Sequence, residues 1–145
     1  MKSIVKSQLT GKWYQIAKGR NRCEKDFVEV MCYLSMSCDD DIDVLYVGVK
    51  NGRSKKLRKM SLKILTNEDS NCLVVGNMFF RKKLKILTFD DVNDLIVLSD
   101  RRMNYFSILS HKPTVKYSDI ENILCRIDLL KCNNNKIEFY SNSIV

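Results

Sequence analysis

The chain has 145 residues, a net charge of +8, 45% hydrophobic residues, one Pro and five Gly. That length and apolar share predict a single folded domain over residues 1–145 and exclude a disordered or low-complexity chain. No run of 18 apolar residues occurs, so no membrane-spanning helix is expected. One His and six Cys without CxxC spacing exclude a zinc-finger pattern, and no metal or cofactor is expected.

In chain order, the first three quarters read as strands. Residues 9–17 open with an apolar run around the only Trp, Trp13. Residues 28–37 are β-rich and end at an acidic turn. Residues 43–50 alternate and end at Asn51-Gly52, the strongest hairpin signal in the chain. Residues 56–66 alternate Met60, Leu62 and Ile64 against Lys59, Ser61 and Lys63. Residues 72–80, 84–89, 95–99 and 103–110 complete eight strands with short connections. Short connections mean antiparallel neighbours, and eight such strands close into an up-and-down barrel without exposed edges. Pro113 then breaks the pattern. Ser118 and Glu121 fit a capping box, followed by Ile120, Ile123, Leu124 and Ile127 on one helical face. Residues 95–99 and 105–109 are apolar on both faces, so the helix is expected to pack outside them. Residues 136–141 read as a short ninth strand.

The order of these elements, the G-x-W of Gly11 and Trp13, the following Tyr14-Gln15-Ile16-Ala17 and the YFSILSHKPT block (105–114) resemble the lipocalin family, closest in pattern to its bacterial-type members. The turn at 89–94 stands where the family's second motif belongs, with Asp90 or Asp91 as its acid and Asn93 in place of its Tyr. The resemblance implies that Gly11 and Trp13 form the barrel floor. His111 stands where the family has an Arg stacked on the Trp, so it is expected to plug the closed end.

The resemblance also implies that connections one, three, five and seven surround an open mouth. Those connections and their flanks carry thirteen basic residues (Lys18, Arg20, Arg22, Lys25, Lys50, Arg53, Lys55, Lys56, Arg81, Lys82, Lys83, Arg101, Arg102) against Glu24, Asp26 and Asp100. The other three carry nine acids (Asp39, Asp40, Asp41, Asp43, Glu68, Asp69, Asp90, Asp91, Asp94) and no Lys or Arg. Codon bias would scatter Lys over both ends. A positive mouth over a negative base is therefore expected, and such a field speeds the capture of anions.

With Trp13 facing in, alternation also turns Gln15 and Ala17 inward, then Val30, Cys32, Leu34 and Met36. On the third strand Val44, Tyr46 and Gly48 compete with the nearly equivalent set Leu45, Val47 and Val49. Met60, Leu62 and Ile64 follow, then Leu73 or Val74, Val75, Leu84 and Ile86, and finally Tyr105, Ser107 and Leu109. An apolar cup with a basic rim suggests binding, sequestration or transport of a small anionic amphiphile such as a fatty acid or lysophospholipid. Its tail would lie among Leu62, Leu84 and Ile86, and its head among Arg53, Lys56, Arg81 and Arg102.

Three other classes compete. Sequestration of a phosphate-bearing signalling molecule needs more inward aromatics than Tyr46 and Tyr105. An isomerase using Cys32 lacks a neighbouring base, so no enzyme activity is expected. A basic mouth can also touch an anionic membrane surface, whereas no aromatic basic platform points to nucleic acid. The opening MKSIVKSQLTGK lacks an apolar leader core, which predicts a cytoplasmic protein with mostly reduced thiols, or a secreted or periplasmic one if a leader has been removed.

Overall fold

The computed structural model describes residues 6–19, 27–37, 41–64, 72–76, 81–100, 106–126, 137–140 and 144. A four-residue helix, α1 (Lys6–Leu9), leads into β1 (Gly11–Gly19). There follow β2 (Glu29–Met36), β3 (Ile42–Lys50), β4 (Arg53–Ile64), β5 (Cys72–Gly76), β6 (Arg81–Asp90), β7 (Leu95–Ser99) and β8 (Phe106–Ser110). Helix α2 (Tyr117–Arg126) and β9 (Ile137–Phe139) complete the described elements.

Every strand from β2 to β7 pairs antiparallel with the next, and β1 pairs with both β8 and β2, so eight strands close into a ring. The fold is the expected eight-stranded up-and-down antiparallel barrel with one outer helix and a short ninth strand. β1 closes the ring with a divided edge. Its residues Gly11–Tyr14 pair with Leu34–Met31 of β2, and Ala17–Gly19 pair with Phe139–Ile137 of β9. The β3–β4 hairpin turns at Asn51 (φ 55°) and Gly52 (φ 75°), the left-handed pair that a tight two-residue hairpin requires.

Two cores result. One lies inside the barrel and contains Trp13, Val30, Cys32, Leu34, Val44, Tyr46, Leu62, Leu73, Val75, Leu84, Ile86, Ile96, Leu98 and Leu109. The other lies between the outer wall and α2, where Ile120 and Ile123 meet Ile16, Ala17, Leu95, Val97, Phe106 and Ile108. The helix thus covers β1 as well as β7 and β8. Burying an Ile side chain of this kind contributes roughly 1.5–3 kcal/mol.

Three β-bulges break the alternation, between Gln15 and Ala17, between Arg58 and Lys56, and between Ile86 and Thr88. A bulge places two successive residues on one face. Ile16 and Ala17 therefore both face outward, and the expectation that Ala17 lines the cup is corrected: it is fully buried under α2. Met36 keeps the inner parity, but it lies at the barrel's end and is 46% exposed. The expected capping box is also displaced. The Lys116 carbonyl accepts from the amide of Ile120, so Lys116 is the N-cap and Ser118 lies inside the first turn.

Candidate functional site

The closed end is built from the first strand and its short lead-in helix. The Trp13 indole is buried, and its Nε1–H donates to the Leu9 carbonyl at 2.8 Å. That bond holds Leu9, also buried, beneath the barrel. Outside, the His111 ring stacks on Trp13 with centroids 3.6 Å apart and planes 29° apart. His111 Nδ1 lies 2.9 Å from the Lys12 carbonyl, which can only accept, so Nδ1 is the protonated nitrogen. Gly11 has φ +118°, and a Cβ there would stand 3.4 Å from the His111 ring. A left-handed residue packed against an imidazole explains glycine at this position. The neighbouring turn is held by Asp90, whose Oδ1 accepts from the amides of Val92 (3.1 Å) and Asn93 (3.2 Å). Asn93 donates its side-chain amide to Asp90 Oδ2 at 2.9 Å, so Asp90 acts as the turn's organiser. The His111 amide donates to the Asp94 carbonyl and ties that turn to the end of β8.

Above this floor the barrel is apolar. A pocket is lined by Leu9, Trp13, Cys32, Leu34, Val44, Tyr46, Leu62, Leu73, Val75, Leu84, Ile96, Leu98 and Leu109. Its cavity volume is only about 20 Å³, room for about one water. The side chains thus fill the lower barrel. Cys32 lies opposite Trp13 and lines this apolar pocket. On β3 the buried set is Val44, Tyr46 and Gly48, which settles the two competing parities. Phe27 closes over this wall: a Cβ on Gly48 would come within 2.6 Å of the Phe27 ring. Phe27, Leu57 and Met60 are half-buried around the inner core.

The inner face changes character toward the other end. Beyond its bulge, β1 turns Lys18 inward, opposite the buried Ser107 of β8, which shares the face of Leu109. On β4, Arg58 stands opposite the inward Tyr46, with its guanidinium 4.3 Å from the ring centroid. On β6, Lys82 stands opposite the buried Val75, and its Nζ lies 3.6 Å from Asp100 Oδ2. Sequence reading left Arg58 unnoticed and placed Lys18 and Lys82 among rim charges. Lys82 is recoverable from simple alternation with Leu84 and Ile86. Arg58 is likewise recoverable from alternation with Met60 and Leu62, whereas Lys18 is not, because the β1 bulge resets the parity before it.

Of the rim residues expected to hold a headgroup, Arg53 lies opposite Lys50 at the exposed hairpin tip on the inner parity. Arg81 pairs with Gly76 and is exposed, one residue out of phase with the inward Lys82. Lys56 pairs with the outward Val47, so the bulge sends it to the outer face and gives the inner position beyond it to Lys55, opposite Gly48. Arg102 and Tyr105 lie outside the described residues. Val30, Leu34, Leu62, Leu84 and Ile86 are all buried in the inner core. At the acidic end, Asp41 is met at 3.8 Å by Lys63, reaching down from β4. Among the described residues no cluster of His, Cys, Asp or Glu is arranged to hold a metal.

No protein-family model and no curated protein matches the sequence. Solved structures do match the fold. Lobster apocrustacyanin A1 shares 16% identity at a TM-score of 0.71, over 95% of this chain and 79% of its own. Insecticyanin from the tobacco hornworm Manduca sexta shares 15% at 0.70, over 96% and 81%. The siderocalin Ex-FABP shares 15% at 0.65, over 95% of each chain. At such identities the likeness is one of architecture: this chain has the lipocalin fold, with a Trp–His floor, a filled apolar lower barrel and basic side chains on the upper inner wall.

Proposed function

We propose that the barrel binds a small anionic amphiphile, for sequestration or transport. The observation that carries this reading is the vertical gradient of the inner wall. Leu34, Leu62, Leu73 and Leu84 line its lower part, and Lys18, Arg58 and Lys82 face the same lumen above them. An alkyl chain gains roughly 0.8 kcal/mol per buried CH₂, and a basic collar orients its head and speeds its capture. The lower barrel is filled in this structure, so an alkyl chain requires its apolar side chains to rearrange. Entry requires the half-buried Phe27, Leu57 and Met60 to move aside, and Met is well suited to that. The siderocalin Ex-FABP, which shares this fold, is described as functioning through dual ligand specificities, and that supports a ligand-binding reading.

Native mass spectrometry of the purified protein, followed by displacement of a dansylated fatty acid, tests the reading. The expected result is stoichiometric uptake that weakens with salt and with reversal of Arg53 and Arg81 to Glu. Failure of the wild-type protein to bind any single-chain anion overturns it. A co-purified nucleotide would instead support the phosphate-signal alternative.

A further inference from the structure

Among the described residues Lys18 is the only charged side chain that is buried. It is 2% exposed, and its Nζ has no hydrogen-bond partner among the described residues. Its nearest described compensation is the face of Tyr140, whose ring centroid lies 5.4 Å away. Glu138 is its cross-strand neighbour on β9, but that side chain is exposed and forms no ion pair with it. The other inward cations are differently placed: Lys82 meets Asp100, and Arg58 lies on Tyr46. An ammonium withdrawn from water without an opposing charge is costly, and buried charges are ordinarily paired. An aromatic face offsets only part of that cost. Among the described residues Lys18 thus has no opposing anion.

We propose that Lys18 is the anchor for a single anionic oxygen group, carboxylate or phosphate monoester, of a ligand held inside the barrel. The proposal rests on the amphiphile reading above and sharpens it. The head is held within the wall between β1, β8 and β9, below the exposed ring of Arg53 and Arg81. The tail runs down toward Leu34, Leu62 and Leu84. Ser107, on the same inner face opposite Lys18, offers a hydroxyl beside the same position. The β1 bulge is what creates the anchor, because a regular strand would turn residue 18 away from the face that holds Trp13.

The test compares dodecanoate, monododecyl phosphate and dodecanol as competitors of a dansylated fatty acid, on wild type, Lys18→Met, Lys18→Arg and Arg53→Glu/Arg81→Glu. Met keeps the packing and removes the charge. The expected result is at least a tenfold wild-type preference for one or both anions over dodecanol. Lys18→Met should erase that preference while holding dodecanol affinity within about twofold, and Lys18→Arg should keep it. The ratio of dodecanoate to monododecyl phosphate then assigns the headgroup. If Lys18→Met keeps the preference and the double rim variant loses it, the head sits at the rim and the anchor is overturned, while the amphiphile reading stands. If wild type binds dodecanol as well as the anions, the anchor is overturned. If wild type binds none of the three, the reading and the anchor both fall. A rise in the unfolding midpoint of Lys18→Met, read by chemical denaturation, is the independent sign that the ammonium was uncompensated.

Discussion

Trp13 and His111 stack at 3.6 Å across the base of the barrel, and His111 is fixed there by its Nδ1–H bond to the Lys12 carbonyl. The imidazole thus occupies a structural position that needs a flat ring and one donor. Removing it should uncover the indole. In His111→Ala, emission from Trp13, the chain's only Trp, should shift to the red and become quenchable by acrylamide. Stability should fall by about 0.5–1.5 kcal/mol from the lost ring pair. Unchanged emission would show that the stack does not shield Trp13.

Ala17 discriminates between the regular and the bulged first strand. On a regular strand an enlarged side chain here would fill the lumen. In the bulged strand it presses on α2, where Ala17 meets Ile120 and Ile123. Ala17→Leu should therefore destabilise the fold by about 1–3 kcal/mol, as overpacking does, while leaving fatty-acid affinity little changed. Urea denaturation and probe displacement, run on the same variant, separate the two outcomes.

Phe27 over Gly48 should govern access to the inner wall. Phe27→Ala removes the ring, and stopped-flow measurement should then show faster uptake of the dansylated fatty acid. Gly48→Val should act in the same direction, because its side chain and the Phe27 ring cannot share the space. Slower uptake in both would assign Phe27 to the bound ligand's own packing.

On the outer face, Lys12 lies 4.7 Å from the Tyr14 ring centroid and 5.6 Å from that of Tyr33. The Tyr14 side chain, and to a lesser degree Tyr33, hold its ammonium above the ordinary value of 10.5, against a smaller opposing effect of burial. A raised folded-state pKa means that this contribution is complete below pH 10.5 and is lost as pH rises through the folded value. Wild type should accordingly lose stability in alkali more steeply than Lys12→Met. Parallel denaturation curves from pH 9 to 12 would reveal the difference.

Much of the barrel is legible in the sequence because its signals are local. Asn51-Gly52 marks its hairpin, and the alternation of β4 marks Met60 and Leu62 as inward. The double apolarity of β7 and β8 announces a second covering layer. What escapes local reading is where the alternation resets. Ile16, Leu57 and Leu87 are apolar and lie beside apolar or half-buried neighbours, so neither face is chemically marked at the bulges. Each reset depends on pairing with a strand far away in the chain, as when Leu109 and Ile108 of β8 set the positions of Gln15 and Ala17. Lys18 is hidden for the same reason, whereas Arg58 and Lys82 follow the alternation of Met60 with Leu62 and of Leu84 with Ile86. The α1 turn, four residues of KSQL, is too short to leave a periodic signal, and it is placed by the Trp13 bond to Leu9.

The divided edge of β1 gives the barrel a seam of uneven strength. Below, four residue pairs join β1 to β2 beside the Trp13 floor; above, only three join it to β9. The upper ladder is also held by a strand of three residues, so its amides should exchange with solvent first. Detaching those three residues would unzip the wall beside Lys18 while leaving the floor laced. Such an opening would form a slit in the side of the barrel, with the buried Lys18 behind it.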